Sequence, residues 1–432
     1  MSRAAGPGPI SSAFLVRRFG ADAVAWPELG VDPRDEMLGF ALAARAGDWD
    51  GALADYLRDG AEVATSIRQL AEAWRGGFAG LGELLDFASG YGRVTRHLVR
   101  ELPPARLWVA DVVGEAVAAQ ERRFGVHGLV STTDPAAWRC DRRFDLVFVT
   151  SLFTHLPERT FRAWLSRLVE VLAPAGLLAF SVHDASLAPP DLRPGSAGMA
   201  FLPESESRTL DPRDYGTAWV TPGFVSAAVA AIDPRLRSLR VPRGLCGFHD
   251  LWLVAREGQG DLAAAAAALD AGPEGYIEET LVEDGVRLSV AGWALDRKGA
   301  TDVASVALLW NGREIARAER FSPRAGVDWE LPGSPGIATD WRLEASLPRG
   351  EANGAAVVEV VATDRRAGER SLFLGRFHEL LLALARARVE RALDRETRLA
   401  GEVAGFRASR FGRAREVWIR TKKALGLWPA PQ

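Results

Sequence analysis

Cysteine is almost absent. Cys140 and Cys246 are the only two in 432 residues, far apart and without metal-ligand spacing, which excludes a disulfide framework or a zinc site. Missing too is any apolar run long enough to span a bilayer, and no N-terminal stretch has the charged-then-apolar build of an export signal. Charge of one sign is lacking as well. Lys and Arg number 53 against 56 Asp and Glu, so the net charge argues for no nucleic-acid partner and any electrostatic signal must be local. No clustered set of acids and histidines asks for a metal. A cytoplasmic enzyme is the expectation. Its length exceeds a single-core limit, so two or more domains are expected.

What is present centres on Leu84 to Arg93. A short apolar run (Leu84, Leu85, Phe87) ends at Ala88-Ser89-Gly90, Gly92 follows, and a helix-compatible run starts at Val94. Strand, glycine turn and helix let a backbone approach a nucleotide-like ligand with no Cβ in the way. Thr95 stands where a dinucleotide fingerprint has its third glycine, which argues against a simple NAD site. Asp111 closes the next strand-like run, Arg106 to Ala110, where a carboxylate can accept hydrogen bonds from both hydroxyls of a ribose.

The segment Asp86-Phe87-Ala88-Ser89-Gly90-Tyr91-Gly92 resembles motif I of class I S-adenosylmethionine-dependent methyltransferases, D-x-G-x-G-x-G, with alanine for the first glycine. The resemblance implies S-adenosylmethionine as cofactor. It places Ala88, Ser89, Gly90 and Gly92 near the methionine and ribose, Asp111 on the ribose hydroxyls, and Val112 against the adenine. Asp86 would act near the amino group or through water. Asp134 is either a partner of the adenine amino group or an Asp-Pro turn former. Ser151, in the Thr150 to His155 stretch after strand four, falls where the family places residues facing the methyl and the acceptor.

Around this motif the chain alternates strand and helix, which predicts a doubly wound α/β sheet of seven strands. Strands are expected near Glu83–Phe87, Arg106–Asp111, Gly128–Ser131, Phe144–Thr150 and Gly176–His183. Helices are expected near Gly92–Glu101, Gly114–Phe124 and Glu158–Leu172, with Pro174-Ala175-Gly176 as a helix stop. A helix from Thr221 to Ile232 and two closing strands, about Leu236–Val241 and Phe248–Ala255, complete the domain near Glu257. The reversed closing hairpin is a feature that the resemblance implies.

Residues 1–32 are expected to be disordered or irregular. Residues 33–80 read as a helical cap within a domain of 33–257. Its helical spacing includes Met37, Phe40, Ala41, Ala44 and Ile67, Leu70, Ala71, Trp74. The cap either closes over the cofactor or is a plain packing pair. Asp184 to Ala218, rich in proline, is expected to be an irregular lid over the acceptor.

Residues 258–275 read as an alanine-rich linker. From 276 to 377 the period changes to two, with strand-like runs Val286–Val290, Val303–Leu309 and Val357–Val361 and a hairpin turn at Asn311-Gly312. These predict an antiparallel β-sandwich. Its Gly292-Trp293-Ala294-Leu295-Asp296 segment resembles accessory β-domains on bacterial glycosyltransferases and glycan-modifying methyltransferases. Trp310, Trp329 and Trp341 either stack on sugars or fill the core. Residues 378–432 read as a helical, basic amphipathic tail. Phe411, Val417, Trp418, Leu425 and Trp428 share one face, and seven basic residues between Arg407 and Lys423 crowd the rest. Such a tail suits peripheral contact with the inner membrane face or a partner, or else a solvated helix.

Methyl transfer from a sulfonium is an in-line displacement in which the acceptor must be aimed and its proton removed. His155, His183 and His249 all lie at or near strand ends on the ligand side; His155 and then His183 are the expected proton acceptors, with Tyr215 orienting the acceptor. The expected reaction is methylation of a hydroxyl on a glycan or other small acceptor. The alternative is a non-catalytic scaffold within a glycan-assembly complex that includes a glycosyltransferase.

Overall fold

The computed structural model describes residues 6–205, 207, 209–296, 298, 302–323, 337–348 and 355–382. Trp329 and residues 383–432 of the basic tail lie outside them. Seven strands form the central sheet: β1 (Leu84–Phe87), β2 (Leu107–Asp111), β3 (His127–Val130), β4 (Phe144–Val149), β5 (Leu172–Val182), β8 (Leu236–Leu245) and β9 (His249–Arg256). Their order is β3-β2-β1-β4-β5-β9-β8. β9 runs antiparallel to both neighbours, and β1 to β5 are mutually parallel. The order reverses beside β1, so a crevice opens at the carboxyl ends of β1 and β4. β1 and β2 are buried along their whole length, as strands covered on both faces must be.

Helices α5 (Gly114–Phe124), α6 (Glu158–Glu170) and α7 (Pro222–Ala230) join the strands. The helix after the glycine turn, α4 (Thr95–Leu98), is shorter than the expected Gly92–Glu101. β5 begins at Leu172, so α6 stops at Glu170 and Pro174-Ala175-Gly176 lies within the strand and does not end the helix. The lid segment is not wholly irregular. It contains a two-stranded ribbon of β6 (Met199–Leu202) and β7 (Thr217–Val220).

The N-terminal segment, expected to be irregular, contains helix α1 (Pro9–Phe19), with Ile10, Phe14 and Leu15 buried. Its first amides are satisfied from afar. The carboxylate of Asp50 accepts from Ile10 N at 2.7 Å and Ser11 N at 2.9 Å. A cap supplied by α3 (Trp49–Arg75) leaves no signal in the local sequence of α1. In the cap, α3 buries Ile67, Leu70, Ala71 and Trp74 as its spacing predicts. Helix α2 (Glu36–Ala44) instead buries Leu38 and leaves Met37 and Phe40 exposed.

The stretch read as a linker holds α8 (Leu262–Ala268), whose Ala265 packs into the sheet core. Beyond it two four-stranded antiparallel sheets make the sandwich. One is β10 (Glu274–Glu283), β11 (Arg287–Leu295), β15 (Ala338–Ser346) and β14 (Ser322–Pro323). The other is β13 (Arg313–Ala318), β12 (Val303–Trp310), β16 (Val357–Asp364) and β17 (Glu369–Arg376). Asn311 and Gly312 turn β12 into β13 with φ of 50° and 78°, as a type I′ hairpin requires. Trp310 and Trp341 are buried in the sandwich core, so neither is available to stack on a sugar. α1 bridges the parts, sharing one apolar cluster with Tyr56 of the cap and Val357 and Leu374 of the sandwich.

Candidate functional site

The turn after β1 holds Ala88, Gly90 and Gly92 at φ of 60°, 55° and 84°. The first position therefore needs a left-handed backbone and not merely a small side chain, and Ala88 carries that strain. Ala88→Gly is expected to raise stability by up to about 1 kcal/mol, the relief of strain exceeding the added freedom of the unfolded chain. Chemical denaturation measures it.

Asp111, at the end of β2, points back at this turn. Its carboxylate accepts from Gly90 N at 2.8 Å and Val113 N at 2.9 Å. Burial pushes its pKa up, and those amides partly offset it. Gln120 on α5 straps the turn from behind, donating to Ser89 Oγ at 2.8 Å and Gly90 O at 2.7 Å. Gln120 is missing from the sequence reading, yet it shares the buried face of α5 with Ala116, Val117 and Phe124. A polar side chain on an otherwise apolar helical face was the available signal.

Asp86 is buried beneath the turn and accepts from Thr95 Oγ1 at 3.0 Å. The residue that breaks the dinucleotide fingerprint is thus the partner of the motif's acid. Burial raises the Asp86 pKa to about 7, with the Thr95 hydrogen bond opposing and Asp111 adding to the rise. A carboxyl with a raised pKa binds a proton in the fold that the unfolded chain releases near pH 4. Stability therefore falls as pH rises from about 4 through about 7. Asp86→Asn keeps the acceptor for Thr95 and should remove that slope, leaving the variant more stable at about pH 8 by up to about 4 kcal/mol. Denaturant melts at about pH 5 and about pH 8 check the sign.

The cap closes on the same turn. Arg96, fully buried, donates to Gly92 O at 3.0 Å, Glu28 O at 2.9 Å, Gly30 O at 3.2 Å and Tyr56 Oη at 3.1 Å. Tyr56 in turn donates to Asp35 at 2.5 Å. The guanidinium of Arg34 lies 5.5 Å from the centre of the Tyr91 ring. Ser207, between β6 and β7, meets Glu36 of the cap at 3.5 Å.

A second group gathers beyond β4 and β5. His155 Nδ1 lies 2.7 Å from Gly216 O, and His183 Nδ1 lies 3.2 Å from Ala218 O. Two carbonyls flanking one residue, at the start of β7, thus assign the ring protons to Nδ1 and leave Nε2 basic on both. Tyr215 stacks on His155 at 4.4 Å. His249, at the start of β9, lies 4.9 Å from His183. Burial depresses His183 to about 4 and His249 to about 3, and the charges of neighbouring imidazoles add to both shifts. Both rings are therefore neutral near pH 7.

The structure brings Asp86, Ala88, Ser89, Gly90, Gly92 and Asp111 together at one turn, with Val112 next in the chain. Ser151 follows β4 at φ 60°, and its amide donates to Ser181 Oγ at 2.8 Å. Asp134 is exposed and accepts from Ala136 N at 3.0 Å, the turn-forming role. The crevice fits a nucleoside cofactor. A Cβ built on Gly90 meets nothing within 4 Å, and the buried Thr150 Oγ1 at the end of β4 has no hydrogen-bond partner.

A family model described as a methyltransferase domain matches residues 84–176. Residues 84–176 are a class I methyltransferase domain. With the methyltransferase strand order around it, the chain is an S-adenosylmethionine-dependent methyltransferase. Solved methyltransferases are similar to part of it. DhpI with S-adenosylhomocysteine is 21% identical over 52% of this chain and 96% of its own, at a TM-score of 0.34. The glycopeptide N-methyltransferase MtfA is 20% identical over 40% and 81%, at 0.30. CalS10, an amino pentose methyltransferase from Micromonospora echinaspora, is 18% identical over 50% and 96%, at 0.34. Scores this low do not bear on the acceptor of this methyltransferase. No curated protein matches the chain in sequence. Among the described residues no helix is long and apolar enough to cross a membrane.

Proposed function

We propose that the enzyme methylates a hydroxyl of a glycan or similar small acceptor, with His155 and His183 as the groups that accept its proton. The observation that carries this reading is the pairing of both imidazoles, through Nδ1, with carbonyls of the lid ribbon. Each ring then offers Nε2 as a base. Tyr215, the buried Trp219 and the exposed ring of Phe248 lie against these imidazoles, and of these Tyr215 and Phe248 offer aromatic faces on which a sugar ring can pack.

In this reading Gly90 and Gly92 give the cofactor a close approach to the backbone. Asp111 exchanges its amide partners for ribose hydroxyls, Val112 lines the adenine, and Ser151 faces the acceptor side. S-adenosylmethionine supplies an electrophilic methyl, and the protein aims the acceptor and takes its proton as the new bond forms.

Asp111→Ala is expected to weaken S-adenosylhomocysteine binding about 100-fold, the loss of two charge-assisted hydrogen bonds. Calorimetry measures that. Incubating the wild type with methyl-labelled cofactor and fractionated glycans or nucleotide sugars tests the acceptor. Label found only in amine-bearing products would replace the hydroxyl reading, and wild-type protein that fails to bind the cofactor would favour a scaffold.

A further inference from the structure

A cavity of about 240 Å³ lies where α1 and α3 meet the β16–β17 turn of the sandwich. None of its lining residues belongs to the glycine turn, to β2 or to the histidine group. Six arginines line it: Arg17, Arg18, Arg58, Arg68, Arg366 and Arg370.

Five of these already hold carboxylates. Arg17 pairs with Glu359 at 2.8 Å, Arg58 with Asp55 at 3.0 Å, Arg68 with Glu101 at 3.3 Å, and Arg370 with Glu62 at 3.4 Å. Arg366 sits among Asp270, Asp296 and Asp302 at 2.8, 2.5 and 3.1 Å. That guanidinium occupies the acidic cluster, which therefore has its own internal cation.

Arg18 differs. Its one polar contact is Thr65 Oγ1 at 3.2 Å, and among the described residues no carboxylate lies within ion-pair distance. It remains exposed to solvent. Burial of part of the side chain lowers its pKa and the like charges of Arg68 and Arg17 lower it further, against the attraction of Glu369 and Glu62. Among the described residues Arg18 is thus the one cavity arginine that makes no ion pair of its own, although Glu369 and Glu62 lie near enough to attract it, and it can still take a directly bonded anion.

We propose that this cavity binds a phosphoryl anion of the pyrophosphate type, carried by a small metabolite and held chiefly by Arg18. The planar fork of arginine matches phosphate oxygens in pairs, and the Thr65 hydroxyl lies beside it. The volume falls below the roughly 300 Å³ of a site for a drug-sized ligand. It takes the phosphoryl part of such a metabolite, and the remainder extends into solvent. The anion joins α1 to the sandwich edge by giving Arg18 a direct ion pair.

Titration of the full chain with inorganic pyrophosphate, by calorimetry and thermal shift at about 0.15 M salt, tests this. Saturable one-to-one binding is expected, weakened about 10-fold or more by Arg18→Ala. Arg213→Ala, which removes an exposed arginine paired with Asp211 outside this cavity, should bind as the wild type does. Without ligand, Arg18→Ala should melt close to the wild type, because it removes an exposed side chain with a single hydrogen bond, and it should bind S-adenosylhomocysteine normally. Absence of saturable binding, or equal weakening by Arg18→Ala and Arg213→Ala, overturns the proposal and leaves the methyltransferase assignment untouched.

Discussion

Gly90→Arg is expected to abolish S-adenosylhomocysteine binding while the protein stays folded. A Cβ at Gly90 meets nothing within 4 Å, so the new side chain extends into the space assigned to the cofactor and not into the core. The backbone there has φ 55°, a left-handed value that costs a non-glycine residue about 1–2 kcal/mol. That lowers the melting temperature by several degrees at most for a protein of this size. Binding should fall by more than about 100-fold, since overlap with a ligand has no relaxed alternative in a crevice at the carboxyl ends of β1 and β4. Gly92→Val makes the contrast. A Cβ there comes within 2.6 Å of the Phe124 ring and 2.9 Å of Gln120 Oε1, so that variant should lose about 1–3 kcal/mol of stability by overpacking against α5. Calorimetry and thermal melts on both variants separate the two roles. A Gly90→Arg protein that binds normally would place the cofactor elsewhere.

The sheet was legible because β1, β2 and β4 are near-continuous apolar runs, broken only by Asp86 and Asp145 and closed in β2 by Asp111, a pattern that buried parallel strands produce with little help from distant parts of the chain. Asp111 was legible for the same reason, as the acid closing a readable strand. What escaped depends on contacts between segments far apart in sequence. α1 starts where Asp50, about forty residues on, caps it. Arg96, which no local pattern marks, is a buried clamp between the cap and the glycine turn. The exposure of Met37 and Phe40 reverses the face that spacing alone assigned to α2, because Leu38 had the better partner in the cluster around α1 and Tyr56. His155 and His183 could be named as strand-end residues, but nothing local showed that Gly216 O and Ala218 O would face their Nδ1 atoms. His249 could be named with them as a strand-end residue, and the antiparallel β9 brings its start beside the end of β5.

Replacing these imidazoles should reduce methyl transfer far more than cofactor binding. A positioned general base contributes about 10²–10⁴-fold. His155→Ala and His183→Ala, measured separately with an acceptor identified by methyl labelling, should each lower kcat by at least about 100-fold if that ring takes the proton. Among the described residues neither ring bonds to the glycine turn or to Asp111, so binding of S-adenosylhomocysteine should stay within about threefold. The pH profile discriminates further. His183 is held near pH 4 by burial, so a reaction that depends on its neutral form keeps full rate as pH falls through about 6 and loses it only near 4. A base of ordinary histidine pKa would already fail at about 6.5. If His183→Ala leaves both kcat and the acidic limb unchanged while His155→Ala abolishes turnover, His155 alone is the base and His183 orients the ribbon through Ala218. If neither substitution lowers kcat, deprotonation by these histidines is excluded, and the aromatic and carbonyl surroundings serve only to position an acceptor that arrives as its own nucleophile.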